Sequence, residues 1–297
     1  MKPPSLLALL LLGSSAVAAP VDCLDTGPAL AYWQPIRESA GEAALDADAL
    51  AIELESCLGS PNPDLRDRVG YELYTYWLRN EALTDETRRF LLVTLKANLV
   101  DPSADTTLRR SFSALILAEL MRSDANRPFM TNADRTGLLE VATGALAAEN
   151  DFRGLEPDIG WVHPVAHLAD LLWRFALHPD TTNAEATMLL ASVRSKVAPV
   201  TVSYAFNEGD RLARVVATLV QRDLLPADDI AEWISTFARP GSMERWSHAF
   251  QSPEGMAELH NTKQFLRSLS DQLAGTDVPS EILIPLDELV QGFTQLI

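Results

Sequence analysis

Five histidines occur in this chain, and two of them lie four residues apart in the segment RGLEPDIGWVHPVAHLADLLWRF, residues 153–175. His163, His167, Asp170 and Arg174 recur at steps of four, three and four. On a helical wheel they fall within about 60° of one another, so a helix here carries all four on one narrow stripe. Two imidazoles and a carboxylate at i, i+4 and i+7 can face a single divalent ion, which makes His163, His167 and Asp170 a candidate metal set. The same groups suit acid–base chemistry, with a histidine oriented by Asp151 or Asp170 as general base and an arginine steadying an anion. A third reading needs no ligand: a histidine donating to Asp170, with Arg174 pairing to it, makes a buried polar network that fixes one helix against another.

The surroundings of the stripe keep all three readings open. Trp161, Val165, Leu168, Leu172 and Phe175 share roughly a quarter of the wheel and read as a core seam. Val162, Ala166, Ala169, Trp173 and Ala176 lie between seam and stripe. A solvated face would carry a broader band of Glu, Lys and Gln. Pro164 fits such a helix in its first turn, where its missing N–H costs nothing. Asp151 and Arg153 precede the segment, and Arg109 and Arg110 belong to a neighbouring helical run. The ligand-binding candidates are therefore Asp151, Arg153, Trp161, His163, His167, Asp170, Arg174 and Arg110.

Other chemistries leave no trace. There is no Gly-x-Gly-x-x-Gly and no Walker loop to cradle phosphates. There is no Gly-x-Ser-x-Gly elbow and no Ser-x-x-Lys pair. His163-Pro-Val-Ala-His167 has the two-histidine spacing of zinc proteases, but Pro164 stands where their glutamate belongs. No cofactor motif appears beyond the possible divalent metal.

The elements that must position these residues read as helices almost throughout. Apolar residues recur at three and four, rarely at two. Leu65, Val69, Leu73 and Tyr76 make one stripe, and Leu212, Val215, Val216 and Leu219 another. "FSALILAEL" is apolar nearly all round, as a helix covered on several sides would be. Short clusters such as "GSPNPD", "SDANRPFMTNAD" and "LHPDTTNAE" separate the runs, with Asp, Asn and Thr placed to cap them. About a dozen helices with short connections force antiparallel neighbours. Loose likeness among "LRDRVGYELYTYWL", "LRRSFSALILAEL" and "DRLARVVATLV" suits helix pairs repeating every 40–50 residues or so. The expected fold is all-α, an irregular HEAT-like solenoid of stacked antiparallel helix pairs, with an irregular bundle as the alternative.

The opening MKPPSLLALLLLGSSAVAAP reads as a cleavable signal peptide over residues 1–18, ending at Ala16-Val17-Ala18. Its apolar run is shorter than the roughly 20 residues a membrane-spanning helix needs, so no stable membrane insertion is expected. Residues 19–297 then form one domain, periplasmic or secreted. Cys23 and Cys57 are the only cysteines. In an oxidising compartment they are a disulfide candidate, the alternative being that Cys57 is simply a small buried apolar residue. A formal net charge of −17 argues against a nucleic-acid partner and against anionic membrane surfaces.

Read in order, "LRD…Y" (65–71), "FSALILAEL…D…PF" (112–129), "E-x-D-x-R-G" (149–154), "GW-x-H-x-x-AH-x-AD-L" (160–171), "DRLA" (210–213) and "NTKQFLRSL" (261–269) resemble the bacterial family catalogued as domain of unknown function 2785. The likeness spans about residues 50–275 and is most distinctive at 160–171. It implies a helical, HEAT-like fold and no settled activity. Pro164 departs from the small residue expected there. The expected function is a binding or scaffold protein whose polar groove, around residues 160–171, takes a protein, peptide or small molecule. The alternative is a hydrolase-type or metal-dependent enzyme using His163, His167 and Asp170.

Overall fold

The computed structural model describes residues 22–296, apart from 25, 43, 44, 102 and 104–106. The expected signal peptide lies outside the described residues. Twelve α-helices are present among those described: α1 (Thr26–Glu38), α2 (Ala47–Leu54), α3 (Glu72–Arg79), α4 (Asp85–Asn98), α5 (Thr107–Asn126), α6 (Asn132–Ala148), α7 (Pro164–Leu177), α8 (Asn183–Lys196), α9 (Glu208–Gln221), α10 (Ala227–Ser235), α11 (Pro253–Leu273) and α12 (Ser280–Gln295). The fold is all-α. None of these helices is long and apolar enough to cross a membrane. Thr84, Thr131 and Thr182 cap α4, α6 and α8 through their hydroxyls, and the last two form full capping boxes with Asp134 and Glu185.

The order of packing follows from which faces are apolar. α5 packs on α7, α7 on α9 and α9 on α11, while α4, α6 and α8 lie beside them. Ser111 meets His167, 56 residues on, and Glu119 meets Arg174, so α5 and α7 run parallel. His163 faces Glu208, and Trp173 donates to Thr218 45 residues away, so α7 and α9 are parallel too. Arg79 of α3 reaches Glu119 of α5, 40 residues on. These parallel helices begin at a common end, where the loops before α7 and α9 lie. α5 is buried nearly all round because α3, α4 and α7 each cover part of it. One cluster of buried apolar residues runs from Cys23 to Phe293.

Two details differ from the periodicity. Residues Asp64–Tyr71 form a π-helix ahead of α3. Its wider turn carries the buried stripe from Leu65, Val69 and Leu73 to Trp77, leaving Tyr76 exposed where it was expected in the core. A minimal antiparallel hairpin, β1 (Leu155–Glu156) and β2 (Gly160–Trp161), precedes α7. Trp161 therefore lies outside the helix, and it is 41% exposed rather than part of the core seam.

A disulfide joins Cys23 to Cys57, 34 residues apart, in the short 3₁₀ turn after α2. Closing a loop of that length stabilises by about 3–4 kcal/mol on the chain-entropy account. The Cys23→Ser/Cys57→Ser variant is expected to lose that much in denaturant titration without reductant. Coincident curves for variant and parent would show that the bond adds nothing.

Candidate functional site

The site is assembled where the hairpin meets the first turns of α7 and α9. Arg66, fully buried in the π-helix, donates to the carbonyls of Ser60, Ile159 and Trp161 and to the Asp67 carboxylate. Its guanidinium also lies over the Phe112 ring, 4.7 Å from the centroid. One side chain thus ties the hairpin to α5. Gly160 has φ of +74°, and a Cβ there would come 3.1 Å from Pro63 and 3.5 Å from Arg66. Glycine before Trp161 is required on both counts. At Gly154 a Cβ would sit 1.9 Å from the Phe206 ring, so the absent side chain makes room for that aromatic.

His163 caps α7 in the left-handed conformation, φ 43°, and Asn207 caps α9 in the same way, φ 66°. Neither supplies a side-chain cap. Pro164 occupies the first turn of α7, where it was expected. The His163 ring stacks on Trp161 at 5.1 Å, and Phe206 meets Trp161 edge-on at 5.8 Å. His163 Nε2 stands 3.3 Å from Glu208 Oε1, within ion-pair reach but not aligned as a hydrogen bond. Burial alone would raise the Glu208 pKa. The facing His163 and the Phe206 N–H bonded to its carboxylate hold it below the ordinary range instead.

His167 lies one turn deeper. Its Nδ1 is 2.8 Å from Ser111 Oγ, and the Ser111 hydroxyl donates to the Val162 carbonyl. The serine proton being committed, His167 donates from Nδ1 and keeps a lone pair on Nε2. Burial, then the charges of His163, Arg211 and Arg66, lower its pKa to about 3, so the ring is neutral at physiological pH. Ser111 is buried and its hydrogen points away from the imidazole, which is not the geometry of an activated nucleophile.

Asp170 is bound by Arg211 of α9, with Arg214 at 4.0 Å. Burial raises its pKa against the lowering effect of those two arginines. Arg174 approaches Glu119 of α5 at 3.7 Å and stacks on Trp173. The expected Asp170–Arg174 pairing is therefore replaced by pairings across helices. The His163 and His167 rings meet edge-on with centroids 5.9 Å apart, while Glu208, Ser111 and Arg211 are the respective polar partners of His163, His167 and Asp170. Among the described residues no three His, Cys, Asp or Glu side chains are placed to hold a metal ion.

Arg153 pairs back onto Asp151 through two bonds of 2.9 and 3.1 Å from Nε, and its side chain remains 46% exposed. These two residues, with Phe152, Gly154, Val202 and Phe206, line a shallow cleft of about 590 Å³ at the helix ends. Arg110 reaches the same turn through Glu149, 3.5 Å away, whose other oxygen accepts from the Asp151 N–H at 2.9 Å. Arg66, Ser111, Glu119, Phe206, Glu208, Arg211 and Arg214 were not among the expected site residues. One carried a signal: Glu119 is a charge inside "FSALILAEL".

A family model described as a protein of unknown function, DUF2785, matches residues 95–270. No curated protein and no solved structure matches the chain.

Proposed function

The chain belongs to the DUF2785 family, and we propose that it is a binding protein whose ligand-facing surface runs from the Arg153–Phe206 cleft along the polar stripe of α7. One observation carries the reading. The polar side chains of this surface are anchored by buried partners, yet Trp161 is 41% exposed and Arg211 and Arg214 keep about a third of their side chains open. Pre-anchored, half-open Trp and Arg side chains are what binding surfaces use, because little rotamer freedom is left to lose.

The HEAT-like solenoid belongs to the same proposal. Helices that meet in parallel at offsets of 40, 56 and 45 residues support stacked helix pairs in residues 19–297 as one domain. Export is proposed with it, supported by the leader-like first 18 residues and by the Cys23–Cys57 disulfide. The enzyme reading has less support: His167 offers a lone pair, but a pKa of about 3 makes it a weak base at neutral pH.

The test is capture of a partner from cell-envelope extract by tagged mature protein, compared with Trp161→Ala and Arg153→Glu variants of matched melting temperature. Each variant is expected to retain about a tenth or less of the captured partner, the usual cost of losing a Trp or Arg anchor. Equal capture by all three proteins would overturn this surface assignment.

A further inference from the structure

We propose that the face shared by α3, α5, α7, α9 and α11 binds an extended acidic peptide, an inference that rests on reading this face as the binding surface. The charge of this face runs against that of the chain as a whole. The chain carries 41 acidic against 24 basic residues, yet this face is rich in cations. Glu119 is one buried carboxylate set against three guanidiniums, those of Arg79, Arg122 and Arg174. Asp170 is shared by Arg211 and Arg214, and Asp210 adds a contact to Arg214 at 3.5 Å. Five arginines thus face three carboxylates, two of which are buried beneath them.

Four of the five arginines are oriented outward. Glu119 and Asp170 side chains are 5% and 12% exposed, against 43% for Arg79, 39% for Arg122, 34% for Arg211 and 35% for Arg214. Asp210, at 40%, is the one open carboxylate of the three, and Arg174, at 19%, is the partly covered arginine. Trp173 holds two of them, with Arg174 at 4.6 Å and Arg214 at 5.0 Å from its ring. The buried acids therefore act as anchors that fix the forks while solvent meets mainly the cationic side. On α11, Lys263 and Arg267 outnumber Asp271 along a groove that also holds the exposed Met256 and Phe250.

The length of the row selects the ligand. Packed helices lie 8–10 Å apart, so five in a row span about 35 Å. That is too long for a small carboxylic acid and equals an extended peptide of about ten residues at roughly 3.3 Å each. Planar guanidinium forks match carboxylates in pairs of parallel hydrogen bonds, which favours Asp- or Glu-rich segments.

The test is fluorescence anisotropy of the mature chain with a labelled ten-residue Glu-Ser repeat, a Gln-Ser control and polygalacturonate of matched charge as competitor. The Glu peptide is expected to bind, to weaken steeply with added salt, and to exceed the Gln control by at least about tenfold. Arg174→Gln/Arg214→Gln should weaken it by about tenfold or more. Lys263→Gln/Arg267→Gln, on the outer helix and away from the buried anchors, should weaken it severalfold with an unchanged melting temperature. No binding at low salt, or binding unchanged in both variants, overturns the proposal. Displacement by polygalacturonate at lower concentration than by unlabelled peptide would assign the face to anionic polysaccharide and overturn the peptide. If the Trp161 and Arg153 variants lose their captured partner while the Glu peptide fails to bind, the surface stands and its acidic ligand falls. If the peptide binds through the arginines while capture is unaffected, the acidic-ligand inference stands and the Arg153 end is excluded.

Discussion

Arg66→Ala is expected to destabilise the chain by about 3–5 kcal/mol and to loosen the hairpin that carries Trp161. The side chain is fully buried and donates to three backbone carbonyls, Ser60, Ile159 and Trp161. Truncation leaves those acceptors without their donor, each at about 1–3 kcal/mol where water cannot replace it. It also opens a cavity over the Phe112 ring, which the guanidinium now covers. Some of that cost returns as water enters from the hairpin side, which keeps the total within the usual range for breaking a buried charged network. Arg66→Lys should recover only part, because one ammonium cannot address carbonyls on both sides of the fork. Two measurements check this. Urea titration should show the loss in midpoint. Hydrogen exchange should speed up at Val162 and His163, whose amides bond to Gly154 and Arg153 across the hairpin. A loss under about 1 kcal/mol with unchanged exchange would mean that the hairpin is held by its own turn.

The consequence reaches the candidate surface. Trp161 stacks on His163, and His163 sets the first turn of α7 against Glu208. A displaced hairpin would therefore change the exposed Trp161 without touching the arginines further along α7 and α9. Binding at the Arg153 end and binding along the arginine row are separable for this reason.

How far these features were legible in the sequence depends on whether they are local. The period of α7 places Val165, Leu168, Leu172 and Phe175 in the core, and all four are buried. Periodicity reports which residues share a face of their own helix, however, and not which helix meets that face. Asp170 and Arg174 share a stripe, yet Asp170 is taken by Arg211, 41 residues on, and Arg174 by Glu119. The helical wheel also ran three residues too far: Pro164 opens the helix, so Trp161, Val162 and His163 obey hairpin and cap geometry instead. Tyr76 failed for a related reason, since a π-turn upstream changes the period itself. The strongest unused signal was a charge in apolar company, Glu119, because a buried charge needs a partner that must come from elsewhere in the fold. Arg66, between Asp64 and Asp67, gave no such sign.

His167→Asn is expected to flatten the dependence of stability on pH by about 1.4 kcal/mol per unit between roughly pH 4 and 6. The folded imidazole has a pKa of about 3, lowered by burial first and then by the facing charges of His163, Arg211 and Arg66. An unfolded histidine titrates near 6.5. Protons are therefore bound more tightly by the unfolded chain, and acid favours unfolding. The stabilisation from this group is complete above about pH 6.5 and is lost progressively as the pH falls towards 3, some 4–5 kcal/mol in all. Asparagine can keep a donor to Ser111 Oγ while removing the titration, so the variant is expected to start less stable at neutral pH yet to lose less stability in acid. Asp170 and Glu208 also have displaced pKa values, the first raised and the second lowered, but both remain in the variant and cancel in the difference between the curves. Urea titrations at half-unit intervals from pH 4 to 7, on parent and variant, give the two slopes directly. Parallel curves would mean that the imidazole takes up a proton near its ordinary pKa while the fold is intact. The Ser111 link would then be broken in solution, and His167 would return as a candidate general base.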